Sequence, residues 1–413
     1  MKNRTILHSD ANCFYASVEM LLNPELRGKA VAVCGCVEER HGIVLAKSEA
    51  AKKAGVKTGM ANWEAVQACP NLITVPPQYD QYVKFSRLLR NIYLQYSDRV
   101  EPFGMDECWI EATGCMRHYA SGEALANEIR ERVKEELGLT VSIGVSFNKI
   151  FAKLGSDMKK PDAVTVLDET NWQERVWPLP VSELLYVGRA TTKKLMSRAV
   201  YTIGDLAHYP PQFLKDTFGV NGLMLWCFAN GEDTSRIMPD GYSVPIKSVG
   251  HGITCTCDLS ESRDVWKVIL ELSQDIGHRL RVYELQANGI RLCVRSNDLS
   301  GQQYQAQLPR ATQSPMEIAR AVHKLLEERY SWSMPIRAVT VTAINLAPYN
   351  GCVQMDLFGE AVKSIRQHDL DDCIDRIRSR FGSRSIYSAS LMEHLPMPGD
   401  GRDEVRMPGM MYQ

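Results

Sequence analysis

The stretch Thr5-Ile6-Leu7-His8-Ser9-Asp10-Ala11-Asn12-Cys13-Phe14-Tyr15 decides the reading of this chain. Residues 5–8 are mostly β-branched or apolar and read as a strand that runs into Asp10. A helix follows over 14–22 and stops at Asn23-Pro24, because proline cannot donate to the helical ladder. Further along, Tyr82, Phe85, Leu88, Leu89, Ile92 and Tyr96 form the apolar stripe of a helix over 79–96. Residues 100–112 (VEPFGMDECWIEA) read as two strand arms around a turn centred on Gly104, with a charged amphipathic helix over 123–137 and a strand over 141–145. Strand, helix, two strands, helix, strand is the order of a ferredoxin-like βαββαβ sheet. An insertion over 28–76 interrupts it, with a short apolar strand at 30–34 and an alanine- and lysine-rich helix at 49–54.

Around Pro178-Leu179-Pro180 the strand signals cease, and 181–231 is helical, broken by Gly188, Gly204, Gly219 and Gly222. Pro239-Asp240-Gly241 reads as a linker. Beyond it, strand 248–257, helix 264–283, strands 288–296 and 303–307, helix 315–330 and strand 338–346 repeat the first order, predicting a second ferredoxin-like or related unit. From residue 348 the chain reads as a flexible tail, with a charged helix over 369–381 and a Pro-, Gly- and Met-rich end.

Composition agrees with a multidomain globular protein: 413 residues, 45% hydrophobic and 23% charged. Lysine and arginine (48) balance aspartate and glutamate (49), so net charge casts no vote for or against nucleic acid. No run approaches the roughly 18 apolar residues of a membrane span, and the N-terminus lacks the apolar stretch of a signal peptide. The 12 cysteines are scattered; the closest pairs, Cys34/Cys36 and Cys255/Cys257, are too tightly spaced for a zinc knuckle. Reduced thiols in a cytoplasm are the expectation.

In a ferredoxin-like sheet the first strand lies beside the third, so Asp10 can meet Asp106 and Glu107 at one edge. Three carboxylates without histidine or thiolate suit Mg²⁺, and a pair of such ions is the usual device for displacement at phosphorus. Spacing alone also allows an aspartate cap beside a solvated turn.

The surroundings add to this. Asp10-Ala-Asn-Cys-Phe-Tyr-Ala-Ser-Val-Glu19, the Gly104-Met-Asp-Glu107 turn, and Gly144-Val-Ser-Phe-Asn-Lys-Ile-Phe-Ala-Lys-Leu154 leading to Lys159-Lys160-Pro161 closely resemble the Y-family of translesion DNA polymerases, of polymerase IV or polymerase V type. The resemblance covers about residues 3–346. It implies an α+β right-hand polymerase: palm over 1–27 and 77–180, small fingers over 28–76, an all-α thumb over 181–238, and an αβ little finger over 243–347. It also implies template-directed addition of deoxynucleotides (dNTPs) to primer-template DNA at low fidelity, with two Mg²⁺ ions held by Asp10, Asp106, Glu107 and the Ala11 carbonyl. Tyr15 falls at the steric-gate position under the sugar, with Phe14 behind it; ordinary core is the alternative.

Lys160 matches the triphosphate lysine. Many members carry Tyr-Glu-Ala-Arg in the fingers, where this chain has Ser48-Glu49-Ala50-Ala51. Lys47 and Lys52 flank that site and supply the expected charge as point cations, unless they are simply solvated. In the thumb, 187–195 resembles a helix-hairpin-helix, with Gly188, Lys193 and Lys194 toward a DNA phosphate; Tyr186 replaces the first glycine of its turn. The 243–349 segment holds 12 Lys+Arg against 10 Asp+Glu. DNA contact there rests on Lys247, Ser248, Arg291 and Arg295, the two arginines sharing one strand face by alternation. Gln354, Asp356, Leu357 and Phe358 resemble the bacterial sliding-clamp motif, tethering what is expected to be a monomer. The rivals are an inactive DNA- and clamp-binding scaffold of the same family and a nucleotide cyclase on the same palm sheet.

Overall fold

The computed structural model describes residues 4–351, 360–383, 385–386, 388–392 and 397. The chain forms two compact units, one of Met1–Cys34 with Val44–Val244, the other of Gly35–Ile43 with Pro245–Arg406.

The first unit opens with β1 (Ile6–Ala11) and α1 (Phe14–Leu22). A small insertion follows: β2 (Val31–Cys34), β3 (Val44–Lys47), α2 (Glu49–Lys53), α3 (Asn62–Ala68) and β4 (Ile73–Val75). Its three strands form a separate sheet in the order β3-β2-β4 over a small core of Ala32, Val44, Ala51, Val56 and Ala65. The main sheet resumes after α4 (Tyr79–Leu94) with β5 (Val100–Pro102) and β6 (Glu107–Glu111). Then come α5 (Gly122–Leu137), β7 (Val141–Ser146), α6 (Lys149–Met158) and β8 (Val164–Leu167). The strand order β5-β6-β1-β7-β8 is the ferredoxin-like arrangement extended by β8, which runs parallel to β7. All six residues of β1 are buried, as expected of a central strand covered on both faces. Local signals fix the helix ends: Ser121 caps α5 by accepting from the Ala124 N–H, and Gly138 ends it with φ +69°.

Helices α7 (Trp172–Val176), α8 (Arg189–Met196), α9 (Ile203–His208), α10 (Pro211–Phe218) and α11 (Val220–Ala229) complete this unit. The all-α segment has no separate core. Val181, Leu195, Ile203, Leu214 and Leu225 pack in one cluster with Ile150, Phe151 and Leu154 of α6. The expected linker and the stretch before it are fastened to the rest of the first unit: Arg4 Nη1 donates to Ser235 O (3.0 Å), Arg99 Nη1 to Ile237 O (3.2 Å), and Arg90 pairs with Asp240 (2.5 Å). Ile237 is buried against Ile6, Trp109 and Ala152.

The second unit contains β9 (Val249–Leu259), α12 (Ser262–Val282), β10 (Leu285–Ser296), β11 (Gly301–Thr312), α13 (Pro315–Arg329), β12 (Ile336–Pro348) and α14 (Glu360–Phe381). The element order is as read, but the topology corrects the ferredoxin-like expectation: strands run β11-β10-β12-β9, so β12 lies between β9 and β10. Each helical crossover still skips one strand, which is why the element pattern alone fits both arrangements. One sheet face packs Ile290, Leu292, Val339 and Val341 against α12 and α13. On the other, register aligns Gln305, Arg291, Thr342 and Gly250 in one row and Gln303, Cys293, Thr340 and Gly252 in the next.

The stretch expected as a flexible tail is partly built in. Helix α14 starts earlier than the sequence indicated and is held by Arg281, whose Nε donates to Asp375 (2.7 Å), and by Arg378, which donates to Gln274. Among the described residues, no helix is long and apolar enough to cross a membrane, and eleven cysteines are free.

Candidate active site

Antiparallel pairing of β1 with β6 sets Asp10 directly opposite Glu107. Asp106 lies in the turn just before β6, and its carbonyl accepts from the Ala11 N–H at 3.0 Å. The structure therefore brings Asp10, Ala11, Asp106 and Glu107 to one edge. On the neighbouring helix α6, Lys153 Nζ lies 3.0 Å from Glu107, 3.4 Å from Asp10 and 3.0 Å from Asp157. Lys160 Nζ lies 2.7 Å from Asp10 and 2.8 Å from Asp157. Lys153, Asp157 and His8, whose Nε2 is 3.2 Å from Glu107 Oε2, received no role from the sequence. A signal existed for two of them: Lys153, Asp157 and Lys160 fall at i, i+4 and i+7, the spacing of one helix face.

The charges are unevenly settled. Burial raises Asp10 above the usual carboxylate range, although Lys160 beside it pulls the other way. Burial also pushes Asp106 up, to about 7, reinforced by the negative charges of Asp10 and Glu107. Burial acts against Glu107 too, but the adjoining His8 ring and the Lys153 charge outweigh it and leave the carboxyl below its ordinary value. Lys153 remains above its ordinary value because Glu107, Asp157 and Asp10 outweigh its burial.

Among the described residues, no group of three or more His, Cys, Asp or Glu stands in ready metal-holding geometry; the two lysines bridge the carboxylates instead. The donor set nonetheless suits a hard divalent cation, being carboxylate oxygen only, and the raised Asp106 marks a buried negative charge that such a cation would relieve.

Tyr15 stands beside these carboxylates. Its ring stacks on Tyr82 (centroids 4.2 Å apart, planes 9° apart) and meets the edge of Tyr79, while its hydroxyl donates to Met105 Sδ at 3.5 Å. Tyr82 is itself tied through its hydroxyl to the buried carboxylate of Glu19, and Gln78 donates to that carboxylate at 2.7 Å. Phe14 is buried behind the pair.

In the insertion, Lys47 donates to Thr58 (3.0 Å) and Lys52 lies 3.6 Å from Glu49. Glu49 accepts from the Cys13 thiol at the start of α1, and both lysines act electrostatically on that thiol. Ser48 cannot reach a ligand. It is buried, caps α2 by accepting from the Ala51 N–H (3.3 Å), and also accepts from the Val31 N–H (3.0 Å).

Two family models match, the impB/mucB/samB family over residues 9–157 and its C-terminal domain over 246–357. A protein of Acetivibrio thermocellus named DNA polymerase IV is 47% identical over 390 residues, spanning 94% of this chain and 98% of its own length. The chain belongs to the impB/mucB/samB family, the Y-family of DNA polymerases. Other Y-family relatives agree: DNA polymerase IV of Pelotomaculum thermopropionicum is 38% identical over 93% of this chain and 94% of itself. DNA polymerase IV 1 of Bacillus subtilis is 34% identical over 95% and 94%. A solved Y-family DNA polymerase chimera superposes with a TM-score of 0.74 over 83% of this chain and 99% of its own, at 22% identity, a likeness of fold.

The remaining candidates of this Y-family chain lie elsewhere. Gly188 is the N-cap of α8, with Lys193 and Lys194 exposed on that helix beside a groove lined by Val187, Arg189 and Met196. Tyr186, where the hairpin glycine would stand, adopts φ +70°. Lys247 and Ser248 are exposed just before β9, and Arg291 and Arg295 project from the face of β10 opposite its buried Ile290, Leu292 and Val294. Gln354, Asp356, Leu357 and Phe358 lie outside the described residues.

Proposed function

We propose that the chain is a template-directed DNA polymerase that adds deoxynucleotides to a primer 3′-hydroxyl by two-metal-ion transfer and copies damaged templates at low fidelity. The observation that carries this reading is the register of Asp10 against Glu107, with Asp106 one residue away, Lys153 on Asp10 and Glu107, and Lys160 on Asp10. Asp10, Asp106, Glu107 and the Ala11 carbonyl would hold two Mg²⁺ ions. Bound there, the ions would favour ionisation of the 3′-hydroxyl and neutralise the triphosphate and departing pyrophosphate. Lys160 leaves its carboxylates for the triphosphate, with Lys47 and Lys52 adding positive charge from the fingers. The stacked Tyr15 ring occupies the space of a 2′-hydroxyl and turns away ribonucleotides.

The α8 N-terminus with Gly188, Lys193 and Lys194, and the open sheet face with Lys247, Ser248, Arg291 and Arg295, would grip duplex phosphates without reading bases. Gln354, Asp356, Leu357 and Phe358 would tether the enzyme, a monomer of the cytoplasm, to a sliding clamp.

The test is primer extension with Mg²⁺, wild type beside Asp106→Ala, on a plain template and on one with an abasic site. Extension by wild type alone supports the reading, and full activity in the variant overturns the carboxylate assignment. Stalling at the abasic site under every condition removes lesion bypass.

A further inference from the structure

His8 is fully buried, and the chemistry above leaves it without a task. It sits two residues before Asp10 on β1, hence on the same face, and pairs with Gly144 on β7. A Cβ on Gly144 would stand 1.9 Å from Ala152 O and 2.5 Å from Ser156 N, so the missing side chain lets α6 lie directly on the sheet. That approach brings Ser156 Oγ to 2.9 Å from His8 Nδ1. On the other side of the ring, Nε2 lies 3.2 Å from Glu107 Oε2, at ion-pair distance but not aligned as a hydrogen bond, and neither atom has a hydrogen-bond partner among the described residues. The edge of Trp109 closes the remaining side, with centroids 5.2 Å apart.

The hydrogen positions follow from valence. A carboxylate oxygen only accepts, so the Nε2 facing Glu107 must carry hydrogen. In a neutral imidazole Nδ1 then accepts, and the Ser156 hydroxyl is the donor in reach. With the hydroxyl turned to Lys153 O at 2.7 Å instead, Nδ1 would face an oxygen lone pair at 2.9 Å with no hydrogen between them. Lys153 and His8 both approach Glu107 through Oε2.

We propose that His8 is a positioning residue: fixed as its Nε2–H tautomer by Ser156, it pins Oε2 of Glu107 and leaves Oε1 as the oxygen offered to a divalent cation. The inference rests on Glu107 being a metal ligand. Outer-shell donors of this kind govern ligand orientation, and their loss typically weakens metal affinity about 10- to 100-fold.

The experiment is Mn²⁺ binding to the full metal-free chain by electron paramagnetic resonance, for wild type, His8→Phe, His8→Gln, Ser156→Ala and Asp106→Ala. His8→Phe and Ser156→Ala are expected to bind roughly 10-fold weaker or worse, whereas His8→Gln, whose amide N–H can take the place of Nε2–H, should stay within about threefold of wild type. Wild-type affinity in both His8→Phe and Ser156→Ala overturns the positioning role. Wild-type affinity in Asp106→Ala instead overturns the parent metal assignment. Should His8→Phe fail to fold, nitrogen-15 spectra of the histidines in the wild-type chain decide the matter: the Nε2–H tautomer supports the proposal, and an Nδ1–H or doubly protonated His8 overturns it.

Discussion

Substituting Gly144 by alanine tests the contact that holds the whole site together. The added methyl would meet three backbone atoms of α6: Ala152 O at 1.9 Å, Ser156 N at 2.5 Å and Gly155 C at 2.9 Å. Comfortable carbon–oxygen contact begins at about 3.3 Å, so the helix must retreat by roughly 1.4 Å, and no rotamer change can relieve backbone. Overpacking of this kind costs about 1–3 kcal/mol, and the upper end applies because the obstacle is main chain. At roughly 2–4 °C per kcal/mol for a unit of this size, the transition of the first unit should fall by about 6–12 °C in scanning calorimetry. The same retreat would carry Ser156 beyond hydrogen-bond reach of His8 and displace Lys153 from Glu107. Polymerase activity should therefore drop even at temperatures where the variant is folded. Gly114→Ala is the control, since nothing lies within 4 Å of its would-be methyl. A Gly144→Ala transition within 1 °C of both wild type and control would refute the reasoning.

Other outcomes are equally specific. Tyr15→Ala removes the ring stacked on Tyr82 and is expected to improve ribonucleotide use relative to deoxynucleotides by on the order of 100-fold in kcat/KM; an unchanged ratio refutes the wall. The raised carboxyl of Asp106 gives a sign for pH: its folded value of about 7 exceeds that of the unfolded chain, so its stability contribution is present in acid and is lost as pH rises through about 7. The metal-free wild type should therefore gain melting temperature between pH 8 and pH 5.5 relative to Asp106→Asn, and parallel curves would contradict this. Arg281→Met takes one partner from Asp375, whose carboxyl His278 and Arg281 hold at about 2 despite its burial. His278 remains beside it, so losing this charged hydrogen bond costs about 1.5–3 kcal/mol, and α14 should become more sensitive to limited proteolysis; an unchanged cleavage rate would show that the pair does not hold it.

Local features were legible where a single element carried them. The strand into Asp10, the helix after it and the hairpin around Gly104 follow from alternation and turn chemistry, and the facing of Asp10 and Glu107 followed once the sheet order was assumed. What the sequence hid depended on contacts between elements. Lys153 lay in a quoted motif and Asp157 just past it at helical spacing, but nothing local says that this face turns to carboxylates rather than to water. His8 reads as an ordinary strand residue until Gly144 admits α6. Ser48 looked like a missing ligand and is a helix cap. The position of β12 between β9 and β10 was not readable, because both topologies use the same elements. Pro239-Asp240-Gly241 looked like a linker because the partners that fasten it and the stretch before it, such as Arg4, Arg90 and Arg99, lie far away in the sequence. The helix over 369–381 was read, but its anchoring through Arg281 and Asp375 joins distant elements and leaves no periodic signal.

The open face of the second sheet slopes. Along both of its central rows a glutamine stands at one edge, Arg291 or Cys293 and then a threonine follow, and glycine stands at the other edge. The slope is enforced, since a methyl on Gly250 or Gly252 would strike Thr342 or Thr340 at 2.7 and 2.2 Å. A rod resting on such a ramp touches long, flexible donors on one side and bare backbone and short hydroxyls on the other. Neither side offers the rigid, outward-reaching donor pairs needed to tell one base pair from another. A duplex held on this face, as proposed above, would be gripped without its sequence being read.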